Sequence, residues 1–375
     1  MCWLVCKALK VLLFGHVLMS VMEVMMYAVF YSVHSLSVSS PVPEGVNLSG
    51  WLRGETMTHP RLKYLAKSLP AILIQDRAPK TVSTYVRAYE AWRTWAVQCE
   101  ATPLPADPTV FSLYLVHLIQ QDRSVSCINS AIYGASWVHK KSGYQQLSDQ
   151  PLIQQVVEAR RRILAKPPNR RRPLEASHVK SAIRRLEQGP LSDIQVAALF
   201  ALGFFGFLRW DDLSRLTVDN LQFEDSHLAI FLTQRKNDQF RQGSWVFIAR
   251  SDSSPCPVAV VEKFLRVGNH DRKSRLFRRV LSTKKGMKLR IDPMSYSRAA
   301  ELIKAELRKE GLDPALYGIH SLRAGGATTA AAFGVPERLF QRQGGWRSDK
   351  ARNNYIEESL ESLLLVTRTI QDQTS

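Results

Sequence analysis

Three stretches of this chain carry residue types that can do chemistry together. GFFGFLRWDDLSRL places Arg209 after a greasy run, with Asp212 about one helical turn further on. IHSLRAGGATTAAAFGV sets His320 and Arg323 about a turn apart, and GGWRSDKARNNYIEES brings Trp346 ahead of Tyr355. Lys236, in RKNDQFRQG, falls between the first two. A guanidinium forks onto phosphate through paired N–H donors and keeps its charge. A phenol, with an ordinary pKa near 10, attacks phosphorus only where cations help it ionise. A lysine or histidine can protonate a departing oxygen. Two arginines, a tyrosine and such a donor therefore suit phosphodiester exchange, because preorganised cations stabilise the charge on a pentacoordinate phosphorus.

Taken singly, each residue has an ordinary reading. An arginine after a hydrophobic helix is a capping or surface residue, a His with Arg three later is a helix-start pair, and a tryptophan is core. The order of the set gives it weight. Composition agrees: 51 Lys and Arg against 33 Asp and Glu leave a net charge of +18. That field favours a polyanion, nucleic acid first and an anionic membrane surface second. The cysteines Cys2, Cys6, Cys99, Cys127 and Cys256 are scattered, with no Cys-x-x-Cys pair and no histidine cluster at ligand spacing. Neither a metal site nor a cofactor is expected. A metal-dependent nuclease would need acidic residues gathered at strand ends, an arrangement the sequence does not display.

Elements must position these residues. Residues 59–165 read as a small all-helical bundle: KTVSTYVRAYEAWRTWAVQC puts Val82, Tyr85, Tyr89, Trp92 and Ala96 on one face. Helices over 109–121, 126–141 and 152–165 repeat the habit. The basic, proline-flanked segment 166–173 contains Arg170, Arg171 and Arg172 and reads as a linker. Its arginines suit a strap on phosphate, a nuclear-import signal or a solvated spacer. From 174 to 375 the pattern mixes. A long apolar helix covers 192–208, short strands 221–223, 227–233 and 244–248, and helices 295–310, 321–333, 337–343 and 359–370. The expected class is mostly α with a small antiparallel sheet. Residues 1–58 form a hydrophobic extension and linker. Within it, VLLFGHVLMSVMEVMMYAVFYSV (11–33) has the length of a membrane span or overlong signal peptide, although Glu23 sits mid-run. A divergent extension with no membrane role is the alternative.

The ordered set resembles the tyrosine recombinase, or phage integrase, family, whose pattern runs Arg, Lys, His-x-x-Arg, His or Trp, Tyr. His320-Ser-Leu-Arg323 matches the central box, and Gly345-Trp346 falls where the family has Gly-His or Gly-Trp. Gly334 and Tyr355 fall at the expected spacings. Asp212 replaces the usual Glu, keeping the carboxylate. The likeness covers about residues 60–370. RKNDQFRQG and RSDKARNNYIEES look, more narrowly, like recombinases of animal mobile elements of Crypton or DIRS-like type. The resemblance implies a helical core-binding (SAM-like) domain followed by a mixed α/β catalytic domain. It also implies DNA recombination or integration through a 3′-phosphotyrosyl link at Tyr355, with Arg209 and Arg323 on the scissile phosphate. By the same resemblance Lys236 would be the proton donor to the 5′-oxygen, and His320 would hydrogen-bond the phosphate and assist proton movement at the tyrosine. Trp346 would likewise pack against the pocket and donate its indole N–H, and Asp212 would orient Arg209 rather than react. Double-stranded DNA is the implied partner, with four subunits coupled by exchange of the C-terminal segment SLESLLLVTRTI. A nuclear location follows from such a role. A host-captured DNA-binding protein that keeps the fold without cleaving is the alternative, but it has no need of Tyr355 and the paired arginines.

Overall fold

The computed structural model describes Trp51, residues 58–165, 171–235, Asp238, and residues 242–284, 286–357 and 360–372. The apolar run 11–33, together with Arg170 and Lys236, lies outside them. Among the described residues no helix is long and apolar enough to cross a membrane. The chain divides into two compact units, Met1–Pro167 and Pro168–Ser375.

In the first unit the helices are α1 (Pro60–Leu73), α2 (Pro79–Gln98), α3 (Pro108–Gln120), α4 (Val125–Lys141) and α5 (Pro151–Ile163). Each of α1, α2, α3 and α5 begins with proline, whose fixed φ suits the first helical position. Asp107 caps α3 by accepting from Thr109 N at 2.8 Å and Val110 N at 3.0 Å. Lys140 and Lys141 occupy the last turn of α4, where a helix dipole favours cations. The apolar stripe of α2 lands as its period requires, with Val82, Tyr89, Trp92 and Ala96 buried. Trp92, fully buried, packs edge-on to Phe111 at 4.9 Å and donates its indole N–H to Pro103 O at 3.1 Å.

The second unit wraps α6 (Ala176–Leu186), α9 (Pro257–Gly268), α10 (Tyr296–Lys309) and α11 (Ile319–Ala332) around the central α7 (Leu191–Phe205). Nearly every residue of α7 is buried, the behaviour of a helix apolar on all faces. After the short α8 (Trp210–Leu213), strands β1 (Leu221–Phe223), β2 (His227–Leu232) and β3 (Ser244–Ala249) form an antiparallel sheet in the order β1-β2-β3. A second sheet, the hairpin β4 (Arg278–Thr283) and β5 (Gly286–Pro293), is absent from the sequence expectation. Its strands are largely exposed, so no buried alternation announces them. The chain closes with α12 (Glu337–Gly344), α13 (Asp349–Asn353) and α14 (Leu360–Asp372). The fold is mostly helical with small antiparallel sheets.

The apolar helix ends at Phe205 rather than running to Leu208. Gly206 caps it, and Phe207 takes a left-handed φ of 50°. A bulky residue in that region is uncommon, and here it turns the chain sharply just before Arg209.

Candidate active site

Arg209 follows that turn and precedes α8, with its backbone N–H donating to Asp212 Oδ2 at 3.0 Å. Asp212 is buried. The carboxylate therefore fixes the backbone from which the Arg209 side chain projects.

Arg323 is the fully buried residue at the centre. Two neighbouring glycines bring it there. A Cβ on Gly325 would strike the Leu174 carbonyl and one on Gly326 the Phe204 carbonyl, so only glycine lets α11 approach both. At that depth Arg323 donates through Nη1 to Phe207 O and through Nη2 to Gly344 O, the latter at 2.6 Å. The left-handed turn at Phe207 and the end of α12 thus supply carbonyls to one guanidinium.

Past Gly344 the chain uses Gly345 in the left-handed region, φ 62°, to reverse and bury Trp346. The Arg323 guanidinium carbon lies 4.2 Å from the Trp346 ring centroid and 4.9 Å from that of Tyr355. The two rings are 5.2 Å apart, tilted by 49°. Tyr355 leaves α13 half-buried. Thr328, on α11, anchors it by donating to Tyr355 O at 3.2 Å and accepting from Glu357 N at 3.1 Å. Phe207, Ala327, Phe340 and Trp346 form a small apolar cluster beneath the phenol.

Electrostatics couple these groups. Burial works to raise the Tyr355 phenol, but the charges of Arg323 and Arg209, with hydrogen bonding from both, outweigh it and hold its pKa below 10.0. Burial, then the like charge of Arg209, pulls Arg323 down to about 9, still charged at neutral pH.

The structure therefore brings together Arg209, Asp212, Arg323, Trp346 and Tyr355. His320 lies in the first turn of α11, about one turn before Arg323, and is exposed. Lys236 follows β2 in sequence and lies outside the described residues. Arg171 and Arg172 are exposed, and Arg172 N donates to Leu316 O at 2.9 Å. Two residues of the cluster lie outside the site read from the sequence, where Arg235 figures only as the neighbour that blurs the match at Lys236. Thr328 sits in an unremarkable Ala-rich helix. Arg235, beside Lys236, is buried near Arg209 and Asp212 and donates through Nη2 to Gln343 O at 3.2 Å. An arginine next to a lysine in a loop reads as solvated, so no sequence signal marks its burial.

No family model matches the chain. It is similar to a curated integrase/recombinase xerD homolog of Selenomonas ruminantium, 24% identical over 290 residues, spanning 76% of this chain and 84% of that protein. Among solved structures it is similar to the XerH site-specific recombinase bound to a palindromic difH substrate in a post-cleavage complex. There the TM-score is 0.55 at 13% identity, over 78% of this chain and 79% of that one. The fold is shared with that structure, and the curated relative supports the resemblance to the tyrosine recombinase/integrase family.

Proposed function

We propose that this protein cleaves and rejoins duplex DNA one strand at a time through a covalent 3′-phosphotyrosyl link at Tyr355. The observation that carries the reading is the Tyr355 ring set 4.9 Å from the fully buried Arg323 guanidinium, with the charge of Arg209 also acting on the phenol. In the reaction the Tyr355 oxygen bonds to the scissile phosphorus, the bond to the 5′-oxygen breaks, and that oxygen leaves as a hydroxyl after taking a proton. Arg209 and Arg323 neutralise the non-bridging oxygens as charge builds on them. Lys236 supplies the proton to the 5′-oxygen. His320 hydrogen-bonds the phosphate and assists the proton leaving the phenol, and Trp346 packs the pocket and offers its indole N–H. The ester keeps the energy of the broken bond, so rejoining by the reverse attack needs no nucleotide cofactor.

Duplex DNA is the partner, held chiefly by phosphate contacts from the helical unit and from Arg170, Arg171 and Arg172. The exposed Leu363, Leu364 and Leu365 of α14 suit exchange with a neighbouring subunit in a four-subunit assembly on DNA. The motifs RKNDQFRQG and RSDKARNNYIEES favour a recombinase of a mobile element of Crypton or DIRS-like type, acting in the nucleus.

A nicked suicide duplex, from which the freed 5′-hydroxyl fragment diffuses away, tests the chemistry. In the presence of EDTA the wild type should form an adduct that survives denaturing electrophoresis, and Tyr355→Phe should form none. An adduct retained by that variant would remove Tyr355 as nucleophile.

A further inference from the structure

We propose that Arg235 is a third guanidinium of the phosphate site, giving its Nε–H to a non-bridging oxygen of the scissile phosphate. The assignment rests on the cleavage reaction proposed above and adds to it a group outside the Arg, Lys, His-x-x-Arg, Tyr set.

Position comes first. Arg235 is 5% exposed, although it stands in the loop that follows β2. Its Nη2 donates to Gln343 O, while Arg323 Nη2 donates to Gly344 O. The two guanidiniums therefore grip successive carbonyls of one turn, which ties their separation to a single peptide unit. A Cβ on Gly345 would collide with Arg235 Nη1, so the turn that buries Trp346 is shaped around this side chain as well.

Unmet hydrogen-bonding capacity comes second. Arg209 Nη1, Arg235 Nε, Arg323 Nε and Trp346 Nε1 are all buried N–H groups with no acceptor among the described residues. Single unsatisfied donors also occur elsewhere, at Trp137, Arg160 and Arg278. Four gathered in one cluster, with only the Tyr355 oxygen and the Asp212 carboxylate nearby among the described residues, instead call for a ligand rich in lone pairs. A tetrahedral phosphate supplies them.

Charge comes third. Arg209, Arg235 and Arg323 feel one another's like charge, and Asp212 is the carboxylate that opposes them. Among the described residues none of the three forms an ion pair. Arg352, another buried arginine of the same unit, shows what a structural role looks like. It meets Glu337 at 2.8 Å, Asp349 at 3.1 Å and the Gln341 side chain at 3.0 Å. Among the described residues Arg235 has a carbonyl as hydrogen-bond partner and no ion-paired carboxylate. Buried positive charge left in excess is stabilised by an incoming anion.

The rival role is anchoring: a cation at the C-terminal end of α12 also suits the helix dipole. Substrate chemistry separates the two. Suicide duplexes with either a native scissile phosphate or a charge-neutral methylphosphonate are cleaved by wild type, Arg235→Ala and Arg235→Lys, with circular dichroism confirming that each variant is folded. If Arg235 neutralises a phosphate oxygen, Arg235→Ala slows native cleavage by about 10²-fold and the deficit shrinks to about tenfold or less on methylphosphonate. Arg235→Lys, which keeps the charge but not the fork, falls between. Equal deficits on both substrates, or no deficit on the native one, would overturn the assignment in favour of anchoring. If Arg235→Ala does not fold, Arg235→Lys decides by the same criterion. Wild type that yields no adduct on the native duplex would instead defeat the cleavage reading itself, a distinct outcome.

Discussion

Where α6 meets α10, Arg185 lies between Glu306 at 2.5 Å and Glu310 at 2.7 Å, and Lys309 reaches Glu306 at 2.8 Å. Around Tyr355, in the same unit, Arg209, Arg235 and Arg323 find backbone carbonyls, aromatic faces and a single nearby carboxylate. The first cluster closes its charges within the protein, and nothing further is needed to stabilise it. The second leaves positive charge and N–H donors facing inward without equal partners. What sets the second cluster apart is three like charges gathered around one carboxylate. Perturbing each cluster should therefore give different phenotypes.

The largest effect should come from Arg323. Arg323→Ala removes a phosphate clamp among many backbone contacts, so single-turnover cleavage should fall by about 10²–10³-fold while duplex affinity changes little. Cleavage and binding lost in equal measure would erase the proposed division of labour. Arg209→Ala should act similarly and also move the pH profile. The phenol attacks as phenolate, so cleavage rises with pH up to the Tyr355 pKa, which Arg323 and Arg209 hold below 10.0. Deleting Arg209 removes one of those downward influences. The rising limb should then extend to higher pH, with the greatest rate deficit at neutral pH. A profile of unchanged shape would show that Arg209 does not act on the phenol.

The other cluster should affect stability and spare the chemistry. Glu306→Gln leaves Arg185 and Lys309 short of an acceptor, at a cost of about 1–2 kcal/mol and a few degrees in Tm. Adduct formation below that Tm should be unchanged. Burial would raise the Glu306 carboxyl, but hydrogen bonds from Lys309 and Arg185 outweigh it and hold the pKa below 4.5. A carboxyl depressed by folding contributes stability that is full above its unfolded pKa and is lost as pH falls through the folded one. The wild type should therefore lose more Tm between about pH 5 and pH 3 than Glu306→Gln does. Parallel slopes would show that this network adds nothing to acid sensitivity.

The contrast also marks what the sequence could convey. The order Arg209, Asp212, His320, Arg323, Trp346, Tyr355 is visible because each residue type has a chemical reason at its place. The apolar periods of α2, α3, α4 and α7 are visible because burial imposes 3.6-residue repetition. The strands β1, β2 and β3 follow from aromatic and β-branched runs. Three features are not legible. The β4–β5 hairpin hides because its exposed strands carry no alternating pattern. The break at Phe207 depends on a backbone angle that propensity disfavours and tertiary contacts with Arg323 and Trp346 hold. Arg235 looks like its neighbour Lys236 until the fold buries it. For Phe207 and Arg235 the deciding contact is distant in sequence, as with Arg235 and Gln343.

The smallest predicted effect bears most directly on the difference between the clusters. If the Tyr355 site holds uncompensated positive charge, a small oxyanion should stabilise the free protein. Inorganic phosphate at about 10 mM, bound with a dissociation constant of about 1 mM, would add about 1.4 kcal/mol by mass action. At that concentration general salt effects on apolar burial are minor, and chloride at matched ionic strength corrects for screening. Thermal unfolding should show the phosphate increment in the wild type and in Glu306→Gln, whose site is untouched. It should be reduced in Arg235→Ala and nearly absent in Arg323→Ala, because each loses both a charge and a donor. An increment of equal size in all four proteins would place the bound phosphate elsewhere, and the proposed electrostatic distinction between the two clusters would fail.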